Sequence, residues 1–178
     1  MSRKILLISY YWPPDNSSGV QRWAYFAHYL HKAGYHLDVL TVDPSKASYK
    51  NTDESFISLV ADINTHTTST FELLKAYSFL TTGNTKKGIP RGGIDVKKNI
   101  LKQLANKVKA DFFVPDARVG WNKYALQRAK KLIQEDTIII TTGPPQSTHL
   151  IGLKLKEKFT ENKWIADFRD PWLELYSN

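Results

Sequence analysis

Residues 4–42 read KILLISYYWPPDNSSGVQRWAYFAHYLHKAGYHLDVLTV. Lys4 to Ser9 is a short, nearly continuous apolar run, which suits a strand buried on both faces, as in a parallel sheet. The segment YYWPPDNSSG, rich in Pro, Asn, Ser and Gly, reads as a loop. From about Val20 to Lys32, the residues Val20, Trp23, Phe26, Ala27 and Leu30 recur at spacings of three or four and give a helix one apolar face. Gly34 stands where such a helix ends. His36 to Val42 alternates and is β-branched, so it reads as a second strand. Strand, loop, helix, glycine and strand form a βαβ unit. The expected class is therefore α/β, a Rossmann-like three-layer sandwich with a mostly parallel, doubly wound sheet.

Working outward, the last third shows the same alternation. Asn122 to Gln134 is a basic helix, Thr137 to Thr142 (TIIITT) a β-branched strand, TGPPQS a loop, Ser147 to Phe159 a helix and Lys163 to Phe168 a strand. Asp170 is a suitable N-cap for a further helix, with Pro171 at its first position. The middle is less regular. Glu54 to Val60 is expected as a short helix, Asn64 to Thr70 as an edge strand or loop, and Phe71 to Leu80 as a helix. Thr81 to Gly93 is a glycine-rich basic loop. Asp95 to Lys109 reads as a helix with Val96, Ile100, Leu104 and Val108 on one face and Lys98, Lys102 and Lys109 opposite.

The 178 residues suffice for one domain with a sizeable core, and 42% hydrophobic with 24% charged residues is ordinary for a globular chain. With no cysteine, a disulfide scaffold, a thiolate metal site and a cysteine nucleophile are excluded. The five histidines show no metal spacing, so no metal is expected. The apolar run at Ile5–Ile8 is too short for a secretory signal, and no segment approaches the roughly 20 apolar residues that span a bilayer. A cytoplasmic location is expected. The net charge of +8 attracts polyanions without naming one. Aromatic residues are plentiful, yet they do not alternate with basic ones along a strand face, so nucleic acid is not an expected partner.

Ligands of open α/β sheets bind beyond the C-terminal ends of the strands. Three loops qualify. In the first, Ser17, Ser18 and Gly19 precede a helix, where open backbone N–H groups suit a phosphate or a sugar hydroxyl; the same residues also suit an ordinary helix cap. In the second, Gly143-Pro144-Pro145 is stiff and positions Gln146, Ser147, Thr148 and His149; the histidine suits either a ligand hydroxyl or phosphate, or a structural role. In the third, Asp167, Arg169 and Asp170 suit polyol hydroxyls, or a structural Arg–Asp pair with a cap at Asp170. The chain holds no GxGxxG, HExxH, GxSxG or P-loop motif.

The first βαβ block, with its YYWPP loop and small-residue turn, resembles the N-terminal domain of family 4 glycosyltransferases of the GT-B fold. That family's pattern is proline, paired glycines, then an apolar, an acidic and a basic residue opening a helix. A second and more specific match is TTGPPQSTHLIGLKLKEKF followed by KWIADFRDPW, similar to bacterial members acting on cell-surface polysaccharides. The two blocks cover about half of the chain. Ser18-Gly19 replaces the paired glycines, which narrows the room for a phosphate, and Gln21 stands at the acidic position.

The resemblance implies one half of a GT-B enzyme: residues 1–178 as the acceptor-side domain, with the donor-binding C-terminal domain absent. It implies a retaining hexosyltransferase-like activity that moves a sugar from a nucleotide-diphosphate donor to an acceptor hydroxyl, in cell-surface polysaccharide or glycolipid synthesis. The domain alone is expected to be inactive, and no cofactor beyond the donor is implied. Ser18 and Gly19 would stand near the donor–acceptor junction, and Thr142, Gly143, His149, Asp167, Arg169 and Asp170 would line the acceptor side; no catalytic base is assigned. Implied partners are a sugar or lipid-linked acceptor and the missing domain. The basic stretch Lys86, Lys87, Arg91, Lys97, Lys98, Lys102, Lys107 and Lys109 suggests peripheral docking on an anionic membrane face. A different class, a non-catalytic ligand-binding or interaction module of flavodoxin-like fold, also accommodates the α/β pattern.

Overall fold

A computed structural model describes residues 4–47, 49, 52–71 and 114–169. The expectations over 72–113, including the docking residues Lys86, Lys87, Arg91, Lys97, Lys98, Lys102 and Lys109, and the cap at Asp170 lie outside these residues. The described chain runs β1 (Lys4–Ile8), α1 (Ser18–Lys32), β2 (His36–Val42), β3 (Asn64–Thr68), α2 (Asn122–Leu132), β4 (Ile138–Thr142), α3 (Thr148–Lys158) and β5 (Trp164–Asp167).

The five strands form one sheet in the order β3-β2-β1-β4-β5, and every pairing is parallel. This order matches the first five strands of the Rossmann order 3-2-1-4-5-6 and differs from the flavodoxin-like order 2-1-3-4-5. The reversal of winding falls between β1 and β4, so the strand tips at Ile8–Ser9 and Thr142–Gly143 flank the topological switch point.

The pattern of burial explains the continuous apolar strands. Leu6, Ile8, Leu40 and Ile139 face a cluster with Ala125, Ala129, Ile151 and Leu155 from α2 and α3. Leu7, Val39 and Ile140 face the other way, against Trp23, Ala24 and Ala27 of α1. Both sheet faces are thus covered by helices, giving three layers. Each fully buried Leu, Ile or Val side chain contributes roughly 1.5–3 kcal/mol of apolar burial. On α3, Gly152 is buried against the indole of Trp164, which lets the helix approach β5 closely.

Local chemistry sets the boundaries. The end of α1 has Gly34 at φ 85, with its amide bonded to His31 O at 2.9 Å and the Tyr35 amide reaching Leu30 O at 3.1 Å. That pairing is a Schellman motif, which needs a left-handed residue at this position. The start of α1 lies two residues before the expected Val20, because Ser18 and Gly19 belong to its first turn. The helix expected over Glu54–Val60 reduces to a 3-10 turn at Ser58–Val60. The ambiguous stretch after Asn64 is an edge strand.

At the N-terminal end of the sheet, the buried carboxylate of Asp38 accepts from Asn64 Nδ2 at 2.5 Å and pairs with Lys4 Nζ at 3.1 Å. His66 Nε2 lies 3.4 Å and His36 Nε2 3.9 Å from it. Burial alone would raise the Asp38 pKa. The hydrogen bonds from Lys4 and Asn64 and the charges of Lys4 and His66 outweigh that, and hold it below the usual carboxylate range. Among the described residues, no helix is long and apolar enough to cross a membrane.

Candidate functional site

The tips of β1, β4 and β5 enclose a cavity of about 430 Å³, within the range of small-molecule sites. Ser9 and Tyr11 come from the exit of β1, Ser18 and Gly19 from the start of α1, Thr142 and Gly143 from the exit of β4, and Arg169 from the exit of β5. Of the residues expected from the sequence, Ser18, Gly19, Thr142, Gly143 and Arg169 share this rim, whereas His149 and Asp167 do not line it. Asp15 and Arg118 also line the cavity.

The start of α1 is built by Asp15. This buried carboxylate accepts from the Ser17 amide at 3.0 Å and from Ser17 Oγ at 2.5 Å. Ser17 is the N-cap residue, yet its hydroxyl is turned to Asp15 and caps nothing. Among the described residues the next bonded amide is that of Val20, to Ser17 O at 2.9 Å, and the two residues between, Ser18 and Gly19, border the cavity. A helix N-terminus of this kind attracts negative charge through its dipole and its N–H groups.

Arg169 stands beside that helix start. Its Nη2 donates to Ser18 Oγ at 2.6 Å, and its Nη1 lies 2.8 Å from where a Cβ on Gly19 would be. Gly19 is thus what admits the guanidinium. A second guanidinium, of Arg118, lies over the Tyr10 ring at 5.4 Å from its centroid. The cavity wall therefore carries two guanidinium groups beside the helix start, where the Asp15 carboxylate also stands.

By contrast, the start of α3 is closed. The Ser147 amide donates to Asp116 Oδ2 at 2.6 Å and its hydroxyl to Asp116 Oδ1 at 2.9 Å. The amides of Thr148, His149 and Leu150 bond the carbonyls of Pro145, Gln146 and Ser147 at 3.2, 3.1 and 3.1 Å. Asn122 Nδ2 holds the Ser147 carbonyl at 2.7 Å. An anion has nothing to bind at this helix end. The loop is instead a rigid support for His149.

His149 is 7% exposed. Trp164 Nε1, a donor only, donates to Thr141 Oγ1 at 3.0 Å, and Thr141 Oγ1 and His149 Nδ1 share a hydrogen bond at 2.9 Å. Burial lowers the His149 pKa, against the opposing charge of Asp167, which keeps the ring neutral at pH 7. Phe168 covers it at a ring separation of 4.1 Å. Nε2 of His149 and Oε1 of Gln146 are buried with no hydrogen-bond partner among the described residues. Both point at Gly143, where a Cβ would lie 2.9 Å from the nitrogen and 2.5 Å from the oxygen. A ring nitrogen and an amide oxygen thus converge on Gly143, which lines the cavity, while His149 and Gln146 themselves do not line it.

Asp167 has a different position from Arg169. Its carboxylate binds both terminal nitrogens of Arg22, accepts from Trp23 Nε1 at 2.8 Å and accepts from Thr142 Oγ1 at 2.8 Å. Asp167 thus pairs with Arg22 of α1, and the expected cap at Asp170 lies outside the described residues. Burial would raise the Asp167 pKa, but these hydrogen bonds and the Arg22 charge outweigh it and hold it low. The network ties α1 to the exits of β4 and β5, which sets the width of the cavity.

These shifts carry a stability prediction. Asp38 and Asp167 both have folded-state pKa values below the unfolded value of about 3.9. Their contribution is complete above that value and is lost as pH falls through the folded values. Urea midpoints measured from pH 6 downward should fall steeply below about pH 4, and Asp38→Asn should flatten that decline. A midpoint independent of pH in this window would show that neither carboxylate is linked to folding.

Sequence reasoning did not single out Asp15, Arg22, Arg118, Asp116 or Asn122 as parts of this site. Arg22 did carry a signal, as the basic residue of the family pattern after the turn. Comparison with family models, curated proteins and solved structures gave no match.

Proposed function

We propose that this chain is the acceptor-side half of a retaining glycosyltransferase, which works with a second Rossmann-like domain and moves a sugar from a nucleotide-diphosphate sugar to an acceptor hydroxyl. The observation that carries the reading is the cavity at the switch point, where the start of α1 and Arg169 meet Gly143, behind which lie the buried polar atoms His149 Nε2 and Gln146 Oε1. Glycosyl transfer separates charge: the diphosphate gains negative charge as the sugar becomes cation-like. Fixed dipoles and guanidinium groups stabilise the first without reorganising. The helix start at Ser18–Gly19 and Arg169 suit the diphosphate side of the junction. A hydroxyl both donates and accepts, and so suits Gln146 Oε1 and His149 Nε2 in either tautomer, where a phosphate oxygen would meet repulsion from Gln146. Arg118 and Tyr11 extend the same wall toward the acceptor. Cell-surface polysaccharide or glycolipid synthesis is the setting suggested by the sequence resemblance.

The test is an amide-resolved NMR titration of the chain with inorganic pyrophosphate, UDP-glucose and GDP-mannose. Shifts should centre on Ser18, Gly19 and Gly143. Arg169→Ala should weaken the pyrophosphate response about tenfold, the loss of one charge-assisted hydrogen bond. His149→Phe should weaken the sugar nucleotides and leave pyrophosphate unchanged. Absence of shifts at the cavity with all three probes would overturn the reading.

A further inference from the structure

Helix α1 starts at the cavity rim and carries a row of side chains away from it. Ser18, Arg22, Tyr25 and Tyr29 follow one another at spacings of four, three and four, and so share one face of the helix. Ser18 lines the cavity. Arg22 is paired with Asp167, which compensates its charge. Tyr25 and Tyr29 are 42% and 62% exposed, and Phe26, expected on the buried face, is 49% exposed beside them. The helix holds no carboxylate, and its one lysine, Lys32, lies in the last turn. The two tyrosine rings are nearly parallel, tilted by 21° with centroids 6.5 Å apart. Phe56 meets Tyr25 at 6.2 Å and His28 meets Tyr29 at 5.5 Å, both close to perpendicular. The rings are therefore held in place before any ligand arrives, which lowers the ordering cost of binding.

We propose that this face of α1 binds the trailing sugars of a neutral, extended glycan whose end reaches the cavity. The assignment rests on the sugar-transfer reading and adds to it a binding surface outside the cavity. At a rise of 1.5 Å per residue, Tyr25 lies about 10 Å and Tyr29 about 16 Å along the helix from Ser18, several sugar units from the cavity. A pyranose presents an apolar C–H face edged by hydroxyls, and an exposed tyrosine presents an apolar ring with a hydroxyl at its tip, so the two match in both respects. Charge narrows the choice. The chain carries a net charge of +8, yet this row has no lysine and its guanidinium is already paired, so a polyanion gains little here. Two nearly parallel rings in line suit a flat ribbon of sugars better than a coiled one.

An NMR titration of the full 178-residue chain with cellobiose and cellohexaose tests it, since β-1,4-linked glucose is neutral, flat and extended. Cellohexaose should shift Tyr25 and Tyr29 together with Gly19. It should bind about tenfold more tightly than cellobiose, which cannot occupy the cavity and both rings at once. Tyr25→Ala and Tyr29→Ala should each weaken cellohexaose about fivefold. Tyr25→Phe and Tyr29→Phe keep the rings and should retain most of the binding. Urea midpoints confirm that each variant is folded. Equal affinity for the two sugars overturns the proposal, and so does unchanged cellohexaose affinity in the folded alanine variants. If pyrophosphate shifts Ser18 and Gly19 while cellohexaose leaves Tyr25 and Tyr29 unmoved, this proposal falls and the sugar-transfer reading stands. The converse, a cellohexaose response at the tyrosines with no cavity response to pyrophosphate or sugar nucleotides, overturns the sugar-transfer reading and leaves α1 as a glycan-binding face. Self-association in sedimentation velocity that Tyr29→Ala abolishes assigns the face to a second copy of the chain and equally overturns the proposal.

Discussion

Gly152→Ala should lower the stability of the fold by about 3 kcal/mol, the upper range for overpacking a well-filled interior. A Cβ at this position would overlap Nε1 and Cε2 of Trp164 and lie 2.8 Å from Cζ2. The obstacle is a rigid indole and not the loose end of a long side chain. It is also held in place, because Trp164 Nε1 donates to Thr141 Oγ1 at 3.0 Å. Either α3 lifts from β5 or the indole turns and abandons that bond. Urea unfolding followed by tryptophan fluorescence measures the loss. The double variant Gly152→Ala with Trp164→Phe removes the nearest part of the obstacle and should recover a good part of it, a coupling expected only if the two residues are in contact. A loss below about 1 kcal/mol in the single variant would mean that the helix and strand are not packed as described.

Asp167→Ala should cost about 2–3 kcal/mol. Removing one partner of a buried ion pair costs roughly 3–5 kcal/mol, and the figure is discounted because Arg22 is partly exposed to solvent. The substitution leaves Trp23 Nε1 and the Thr142 hydroxyl without their acceptor as well. Asp167→Asn keeps one acceptor oxygen and should cost less than the alanine. Both variants should also lose part of the acid branch of the stability profile, since the carboxylate that titrates is gone. Equal urea midpoints for Asp167→Ala and the parent would show that the cross-sheet network does not hold α1 in place.

Local patterns made much of this molecule legible. The strands β1, β2, β4 and β5 are short apolar runs between turn residues, and α1 is an amphipathic helix ended by Gly34; these signals depend on near neighbours alone. The cavity-forming loops were legible too, because strand tips in this fold class point to one edge of the sheet. What stayed hidden depends on distance in sequence. Arg22 and Asp167 are 145 positions apart, and periodicity says nothing about such a pair. Asp15 takes over the start of α1, so a boundary judged from the first apolar residue falls two positions late. Arg118 reaches the cavity from the turn before α2, a stretch whose composition resembles any other loop.

The cavity has no local origin. Its walls come from residues 9–23, Arg118, 142–144 and Arg169, so no contiguous piece of the chain closes it. Occupancy is therefore linked to the intact sheet and not to any one loop. A molecule held there would slow amide exchange in the central strands β1 and β4, whose opening requires global unfolding, as much as at the rim itself.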